Sequence, residues 1–470
     1  MAELVLFNSL GRRKQVFEPI EPGHARVYTC GPTVYSRQHI GNLRSVLFAD
    51  LLVRGLRLVG LRVTHVINVT DVGHLTDDAD LGEDKMERAA ARTGRRAQDI
   101  AREYTELWLR DRRLLNIRDP DVLCRATEHI PQQIAMVRAL EEKGYTYRIE
   151  GDGLYFDTSK FPRYAELARL DLAAQREGAR IGEVAGKRNP ADFALWKLAP
   201  AGVRRQQEWD SPWGRGFPGW HIECSAMSTE YLGRRFDIHT GGVEHLPVHH
   251  TNELAQSECA LDVHPWVRVW MHHDWILFRG EKIAKSTGNV LVLDDLVAAG
   301  YEPLAYRYFL LQAHYRQQQL YTDEAMAAAA TGYRRLLGQA VEVREAEGEA
   351  RDERIAPQRA RFREAVCDDL NAPRALAVAW DVARSESLAP AERRALLLEF
   401  DAWLGLDLAS GVPRDAAQES DPRIDALVAE RERARRAKDF AAADRIRGEL
   451  DTEGIAIEDT PQGPRWRRKA

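Results

Sequence analysis

Thr29–Asn42, TCGPTVYSRQHIGN, is the stretch whose reading decides the fold. The run before it, ARVYT (Ala25–Thr29), has strand character; Cys30 follows, and Gly31-Pro32 breaks the pattern. Beyond His39-Ile40-Gly41-Asn42, the residues Leu43, Val46, Leu47, Leu51, Leu52 and Leu56 recur at helical spacing. The expectation is a strand, a Gly/Pro turn and a helix with Asn42 as its N-cap. A helix N-terminus carries unpaired N–H groups and partial positive charge that suit a phosphate, and His39 stands where it adds a donor. The stretch therefore offers a thiolate for a metal and a nucleotide site. Taken alone, it is equally well read as a capping histidine and a packing cysteine.

A second polar loop lies far downstream, GEKIAKSTGNV (Gly280–Val290). Only ten of the 67 basic residues are lysine, and two of those ten fall in KIAKS. A compact, mobile ammonium is wanted there rather than a planar guanidinium. HIGN early and KIAKS late resemble the paired HIGH and KMSKS signatures of class I aminoacyl-tRNA synthetases. The departures are Asn42 for the last histidine and Ile283-Ala284 for Met-Ser; Lys282, Lys285 and Ser286 stand as in the family pattern.

With 470 residues, the chain has room for about three domains. Hydrophobic residues make up 44% and charged ones 30%, an ordinary balance for a soluble globular protein. There is no apolar run of membrane-spanning length and no basic-then-apolar leader in MAELVLFNSL, so a cytoplasmic protein without a membrane partner is expected. Five cysteines, an odd number widely spaced, argue for reduced thiols. A net charge of −5 leaves nucleic-acid binding to local patches.

The fold class expected is α/β: a Rossmann-like parallel-sheet domain with an insertion, then an α-helical bundle and a small C-terminal α+β piece. RVTHVINVT (Arg62–Thr70) reads as a buried strand that ends in polar Thr70 and Asp71, at the edge where open α/β sheets bind ligands. No GxGxxG follows, which counts against an NAD site. One helical segment is expected over 84–115, a helix over 130–143 and a hairpin over 145–156. The divisions expected are 1–116 and 211–264 for the two halves of the sheet domain, with 117–210 as the insertion between them. Next come 265–330 with the KIAKS loop, 331–405 as a bundle, 406–421 as a linker and 422–470 as the last piece. That piece opens with one helix over 422–450, whose stretch from Arg431 to Arg447 holds seven basic and three acidic residues.

Eight of the fourteen histidines lie between His221 and His273. PGWHIECSAMS supplies Cys224, FDIHTGG a strand with His239, and HHTNELAQ a helix with His249 and Glu253 four residues apart on one face. Cys30, Cys224, His249 and Glu253 do not have CxxC-type spacing. Spacing alone leaves them open to a bland reading, a packing thiol and a solvated helix face. Cys124, Cys259 and Cys367 receive no role.

Together TCGPTVYSRQHIGN, PGWHIECSAMS, FDIHTGG, HHTNELAQ, DDLNAPRAL (Asp368–Leu376) and KDFAAADRIR (Lys438–Arg447) closely resemble the cysteinyl-tRNA synthetases, in the family's order over nearly the whole chain. The resemblance implies a zinc ion, one per chain, on Cys30, Cys224, His249 and Glu253. It implies a cysteine pocket of Cys30, Thr70, Trp220, Cys224, His239 and His249. Pro32, His39, Gly41, Asn42 and Lys285 would face ATP, with Mg²⁺ accompanying the nucleotide. His39, Asn42, Lys282, Lys285 and Ser286 would serve the chemistry, while His245 and His250 support or cap. Zinc prefers a thiolate to a hydroxyl oxygen, so serine would be rejected. A site requiring such a contact reaches discriminations of about 10⁴ to 10⁵ without an editing domain. The partners implied are L-cysteine, ATP and tRNA(Cys), bound by a monomer. A DALR-type bundle and the basic end would read the tRNA, with Trp466 stacking on a base between Arg465 and Arg467. An alternative anchors Trp466 in the fold. Rival functions are a cysteine ligase with an amino-sugar acceptor, a tRNA- or metal-binding module without catalysis, and a zinc hydrolase.

Overall fold

The computed structural model describes residues 3–74, 84–170, 185–199, 202, 205–278, 281–282, 291–412, 422–437, 439–460 and 463–468. These fall into two compact units, Met1–Gly411 and Val412–Ala470.

The first unit is built on a five-stranded parallel sheet. From edge to edge its strands are Val267–His273, Phe236–Gly242, His24–Thr29, Arg62–Val69 and Val122–Arg125. The side chains of Val63–Val69 and Phe236–Gly242 are almost all buried, as expected for interior strands covered on both faces. Numbered along the chain, the order is 5-4-1-2-3, the doubly wound arrangement. The order reverses between His24–Thr29 and Phe236–Gly242, so the crevice at the carboxyl ends of those two strands is where a ligand belongs.

The Ile40–Leu58 helix starts at that crevice. Its N-cap is His39 rather than the expected Asn42. The His39 ring Nδ1 accepts from the Asn42 backbone N–H, and the Asn42 side chain accepts in return from the His39 N–H, both at 3.2 Å. This is a capping box with imidazole in the place of a hydroxyl. The helix's apolar faces pack on the sheet on one side and on the Pro390–Leu404 helix on the other, and helices Asp323–Glu342, Asp352–Cys367 and Ala372–Ala383 extend the same continuous core. Trp403 donates its indole N–H to the Leu51 carbonyl at 3.0 Å. Fully buried Arg307 reaches Asp50 at 2.7 Å, Leu404 O at 2.6 Å and Leu115 O at 2.9 Å, fastening the bundle to the catalytic layer.

Several boundaries differ from those expected. Val122–Arg125, inside the span expected as insertion, is the fifth strand of the parallel sheet; four residues are too few to show a period. The antiparallel sheet of the insertion runs from Thr146–Ile149 through Gly153–Phe156 and Phe193–Leu198 to Gly216–Pro218. The helical span 84–115 is two helices, Lys85–Thr93 and Ala97–Leu114, because Gly94 takes a left-handed φ of 65°. Within 265–330, Gln319–Tyr321 pairs in parallel with Ile276–Phe278. The bundle's first helix begins at Asp323, ahead of residue 331.

In the second unit the expected single helix is two, Pro422–Arg436 and Phe440–Thr452, the latter capped by the Asp439 side chain. They pack on a hairpin of Ile455–Thr460 and Gly463–Arg468. Trp466 is 4% exposed and sits with Ile424, Val428, Ile446, Leu450 and Ile455 in that unit's core. This corrects the base-stacking expectation: strand alternation turns Trp466 inward. The side chains of Arg465 and Arg467 lie outside those described. Among the described residues, no helix is long and apolar enough to cross a membrane.

Candidate active site

Cys30 stands directly after the first parallel strand, and Gly31 follows where only glycine fits. A Cβ there would lie 1.6 Å from the Asn68 carbonyl oxygen, while the Gly31 N–H donates to the Asn68 side chain at 2.8 Å. Thr70 is drawn to the same edge by its backbone N–H, which donates to Pro32 O at 3.0 Å. From the other side of the switch point, the Trp220–Leu232 helix carries Cys224 and the His249–Leu261 helix carries His249 and Glu253.

The four side chains expected as ligands converge, buried, with one donor atom from each within 4.8 Å of the others. Cys30 Sγ is 3.9 Å from Cys224 Sγ and 3.8 Å from Glu253 Oε1, and His249 Nε2 is 2.9 Å from the same oxygen. A second set, Cys30, His239, His250 and Glu253, satisfies the same distance test. The donor chemistry favours the first. It holds two thiols, and Cys30, Cys224 and His249 line the open cavity while His239 and His250 do not. His239 sits beside Glu253, 2.9 Å from Oε2 and stacked on Trp270, where it supports the ligand carboxylate. His250 is 2.7 Å from His272, and His272 is 2.8 Å from Ser9 Oγ. Two thiols, an imidazole and a carboxylate, opening on one side to a cavity, fit a borderline-soft metal ion.

The electrostatics agree with a ligand set held ready. Burial opposes charge on Glu253, yet His239 and His249 hold its carboxyl down to about 2. Burial likewise opposes charge on His249, while Glu253 and Cys224 hold it up at about 10. Cys224 is lowered by the hydrogen bond from Cys30, whereas burial raises Cys30 well above the ordinary thiol. A metal bound here would displace the proton that burial keeps on Cys30 and the one that Glu253 and Cys224 keep on His249. Burial drives His245 to about 3 and His221, His250 and His272 well below the ordinary imidazole range, keeping them neutral around the cluster.

The cavity of about 420 Å³ runs from the cluster to the helix start, lined by Cys30, Gly31, Pro32, Thr70, Trp220, Cys224 and His249 at one end and by His39, Gly41 and Asn42 at the other. The Trp220 ring centroid is 4.4 Å from that of His249, closing the wall beside the cluster. Tyr35, Gln38, Lys85, Glu244, His245 and Trp275 also line it. His245 was expected from sequence as a support or cap; the others were not singled out. Lys85 carried a usable signal, since it is another of the ten lysines. Lys282 pairs with Leu277 in a short strand, its side chain outside those described; Lys285 and Ser286 lie outside the described residues.

A doubly wound sheet with a histidine-capped HIGN helix at its switch point defines the catalytic domain of class I aminoacyl-tRNA synthetases. Two solved structures share the fold. One is the methionyl-tRNA synthetase of Mycobacterium tuberculosis bound by methionyl-adenylate (TM-score 0.52, 17% identity, 84% of this chain and 90% of that one). The other is the LeuRS of Agrobacterium radiobacter K84 in a ternary complex with tRNA and LeuAMS (TM-score 0.61, 12% identity, 85% and 87%). Residues 16–331 match the family model for the class I (C) tRNA synthetase catalytic domain, and residues 417–467 match the cysteinyl-tRNA ligase anticodon-binding domain. The chain is 50% identical to cysteine–tRNA ligase 1 of Burkholderia lata, over 98% of this chain and 96% of that one, and 42% identical to the cysteine–tRNA ligase of Thermus thermophilus, over 99% of each. The chain belongs to the cysteinyl-tRNA synthetase family.

Proposed function

We propose that the chain activates L-cysteine with ATP and passes the cysteinyl group to the 3′ adenosine of tRNA(Cys), choosing cysteine by its sulfur. The observation that carries the choice is the buried Cys30–Cys224–His249–Glu253 cluster opening into the same cavity as the HIGN helix start. A zinc ion held by those four side chains would supply a soft Lewis acid that favours a thiolate over a hydroxyl oxygen. Trp220 and Thr70 border the cysteine beside the cluster, and the Ile40–Leu58 helix start receives ATP phosphate, brought in with Mg²⁺. The cysteine carboxylate attacks the α-phosphorus in line and pyrophosphate leaves, so no protein nucleophile is needed. Pro32, His39, Gly41 and Asn42 border ATP, and Lys282 and Lys285, in the same loop as Ser286, neutralise charge developing on the pyrophosphate.

In the same reading, 265–330 meets the acceptor stem, and 331–405 with 422–470 meets the rest of the tRNA through linker 406–421. The protein works as a cytoplasmic monomer. The test incubates purified protein with ATP, Mg²⁺, labelled cysteine or serine, and total tRNA, then counts acid-precipitated label. Charging that depends on zinc and ignores serine is expected. Cysteine-dependent ATP–pyrophosphate exchange without charging would refute the acceptor and point to a ligase of another substrate.

A further inference from the structure

Beside the active-site cavity lies a second hollow of about 380 Å³. Tyr35 and Lys85 line both, so the two are neighbours. The rest of its wall includes Arg88 and Arg92 from the Lys85–Thr93 helix, Tyr104 from the Ala97–Leu114 helix, and Arg37.

Lys85, Arg88 and Arg92 fall at i, i+3 and i+7, on one helix face. Arg88 and Arg92 are exposed, and among the described residues neither makes an ion pair. Like charges four residues apart destabilise a helix, so this pair gives up stability unless an anion covers it. Among the described residues, Asp111 and Asp294 each bind both Arg37 and Arg110, and Glu87 accepts from the Gln206 N–H. What remains is a cationic hollow with two tyrosine rings, the Lys85 ammonium standing 5.9 Å from the centre of one of them, Tyr35. Cationic groups beside aromatic faces suit single-stranded nucleic acid, whose phosphates and unstacked bases take one each.

We infer that this hollow holds the single-stranded 3′ end of the tRNA as it enters the active site. Arg88 and Arg92, one helical turn apart, bind successive phosphates, and Tyr104 offers a face to an unpaired base. Tyr35 and Lys85 form the threshold past which the terminal adenosine reaches the cavity. ATP does not account for the hollow, because neither the HIGN residues nor any residue of the metal-ligand cluster lines it. The inference rests on the tRNA reading above and adds the residues that serve it.

The test is the double substitution Arg88→Ala with Arg92→Ala in the full-length, zinc-loaded protein, assayed with tRNA(Cys) transcript. Cysteine-dependent ATP–pyrophosphate exchange should stay within about twofold of wild type, while the KM for tRNA rises about tenfold or more, as expected for two charged hydrogen bonds. The slope of log kcat/KM for tRNA against log salt should become shallower by about 1.4, two single-strand phosphate contacts. Arg88→Lys with Arg92→Lys should recover most of the charging. Charging within twofold of wild type by the alanine variant overturns the inference, and so does exchange that falls as far as charging. Failure of wild type itself to charge tRNA, with exchange intact, removes the tRNA reading and this inference together.

Discussion

Replacing Gly31 by alanine tests whether the turn after Cys30 sets the metal site. The added Cβ would meet the Asn68 carbonyl oxygen at 1.6 Å and the Asn68 carbonyl carbon at 2.7 Å, against the 3.4 Å at which ordinary contact begins. Both partners are backbone, so no side chain can swing aside. Arg62–Val69 is paired on both edges, with His24–Thr29 and Val122–Arg125, so the turn must retreat instead, by well over an ångström. That retreat breaks the 2.8 Å bond from the Gly31 N–H to Asn68 and carries Cys30 away from Cys224, now 3.9 Å off. Overpacking of this kind costs about 1–3 kcal/mol of stability, and displacing a positioned group by about 1 Å costs about 10²-fold in rate. The expected result is a folded protein whose kcat/KM for cysteine in ATP–pyrophosphate exchange falls about 10²-fold, with less zinc retained by metal analysis. Gly338→Ala is the control, since its Cβ meets nothing within 4 Å, and it should leave exchange unchanged. Gly31→Ala exchange within threefold of wild type at full zinc content would refute the reasoning.

Arg307→Met removes one partner from Asp50 and leaves the Leu115 and Leu404 carbonyls without their donor; urea unfolding should show a loss of about 3–5 kcal/mol, and a loss below 1 kcal/mol would deny Arg307 its fastening role. His65 supplies a pH dependence. Burial holds its pKa down to about 3 from 6.5, so folding binds no proton where the unfolded chain binds one. Its contribution is complete above pH 6.5 and falls as pH drops toward 3, by about 2 kcal/mol between pH 6.5 and 5; His65→Gln should flatten the stability curve over that window, and parallel curves for the two proteins would count against it. A chain ending at Asp421 loses the whole core of Ile424, Val428, Ile446, Leu450, Ile455 and Trp466 but none of the first unit's. It should lose tRNA charging far more than cysteine activation, and equal losses would contradict an anticodon-binding role.

The sheet was legible where a strand announced its own period. RVTHVINVT was long and β-branched, FDIHTGG alternated Phe236 and Ile238 with polar residues, and both became interior strands. Val122–Arg125 was not legible, because a four-residue edge strand is defined by its neighbour and carries no pattern of its own. Helix ends were missed for a related reason. Gly94, left-handed in the fold, split one apolar stripe into two helices, and Asp439 split another by capping the Ala442 N–H. The capping box of His39 and Asn42 was half legible: both residues were expected at the helix start, but the imidazole takes the role that hydroxyl or carboxamide groups usually fill.

The metal cluster was legible as residue types and not as a geometry. His249 and Glu253 at i, i+4 describe a solvated face as well as a ligand pair, and sequence does not say whether that face is covered. The fold covers it completely, which changes what the pair does: in a buried setting Glu253 stays charged only because His239 and His249 both hold it. His239 therefore acts on the carboxylate. Removing its ring would leave a buried carboxylate oxygen without its partner, a cost no surface reading of FDIHTGG would foresee. The same logic explains the density of histidines between His221 and His273. Neutral imidazoles can both donate and accept, so His250, His272 and Ser9 form a relay that satisfies buried polar atoms without adding charge beside two thiols. A lysine or arginine in that shell would compete with a metal for Cys30 and Glu253; Lys85, the cation among the described residues that line the cavity, instead stands beside Trp220, its ammonium 6.0 Å from the ring centre.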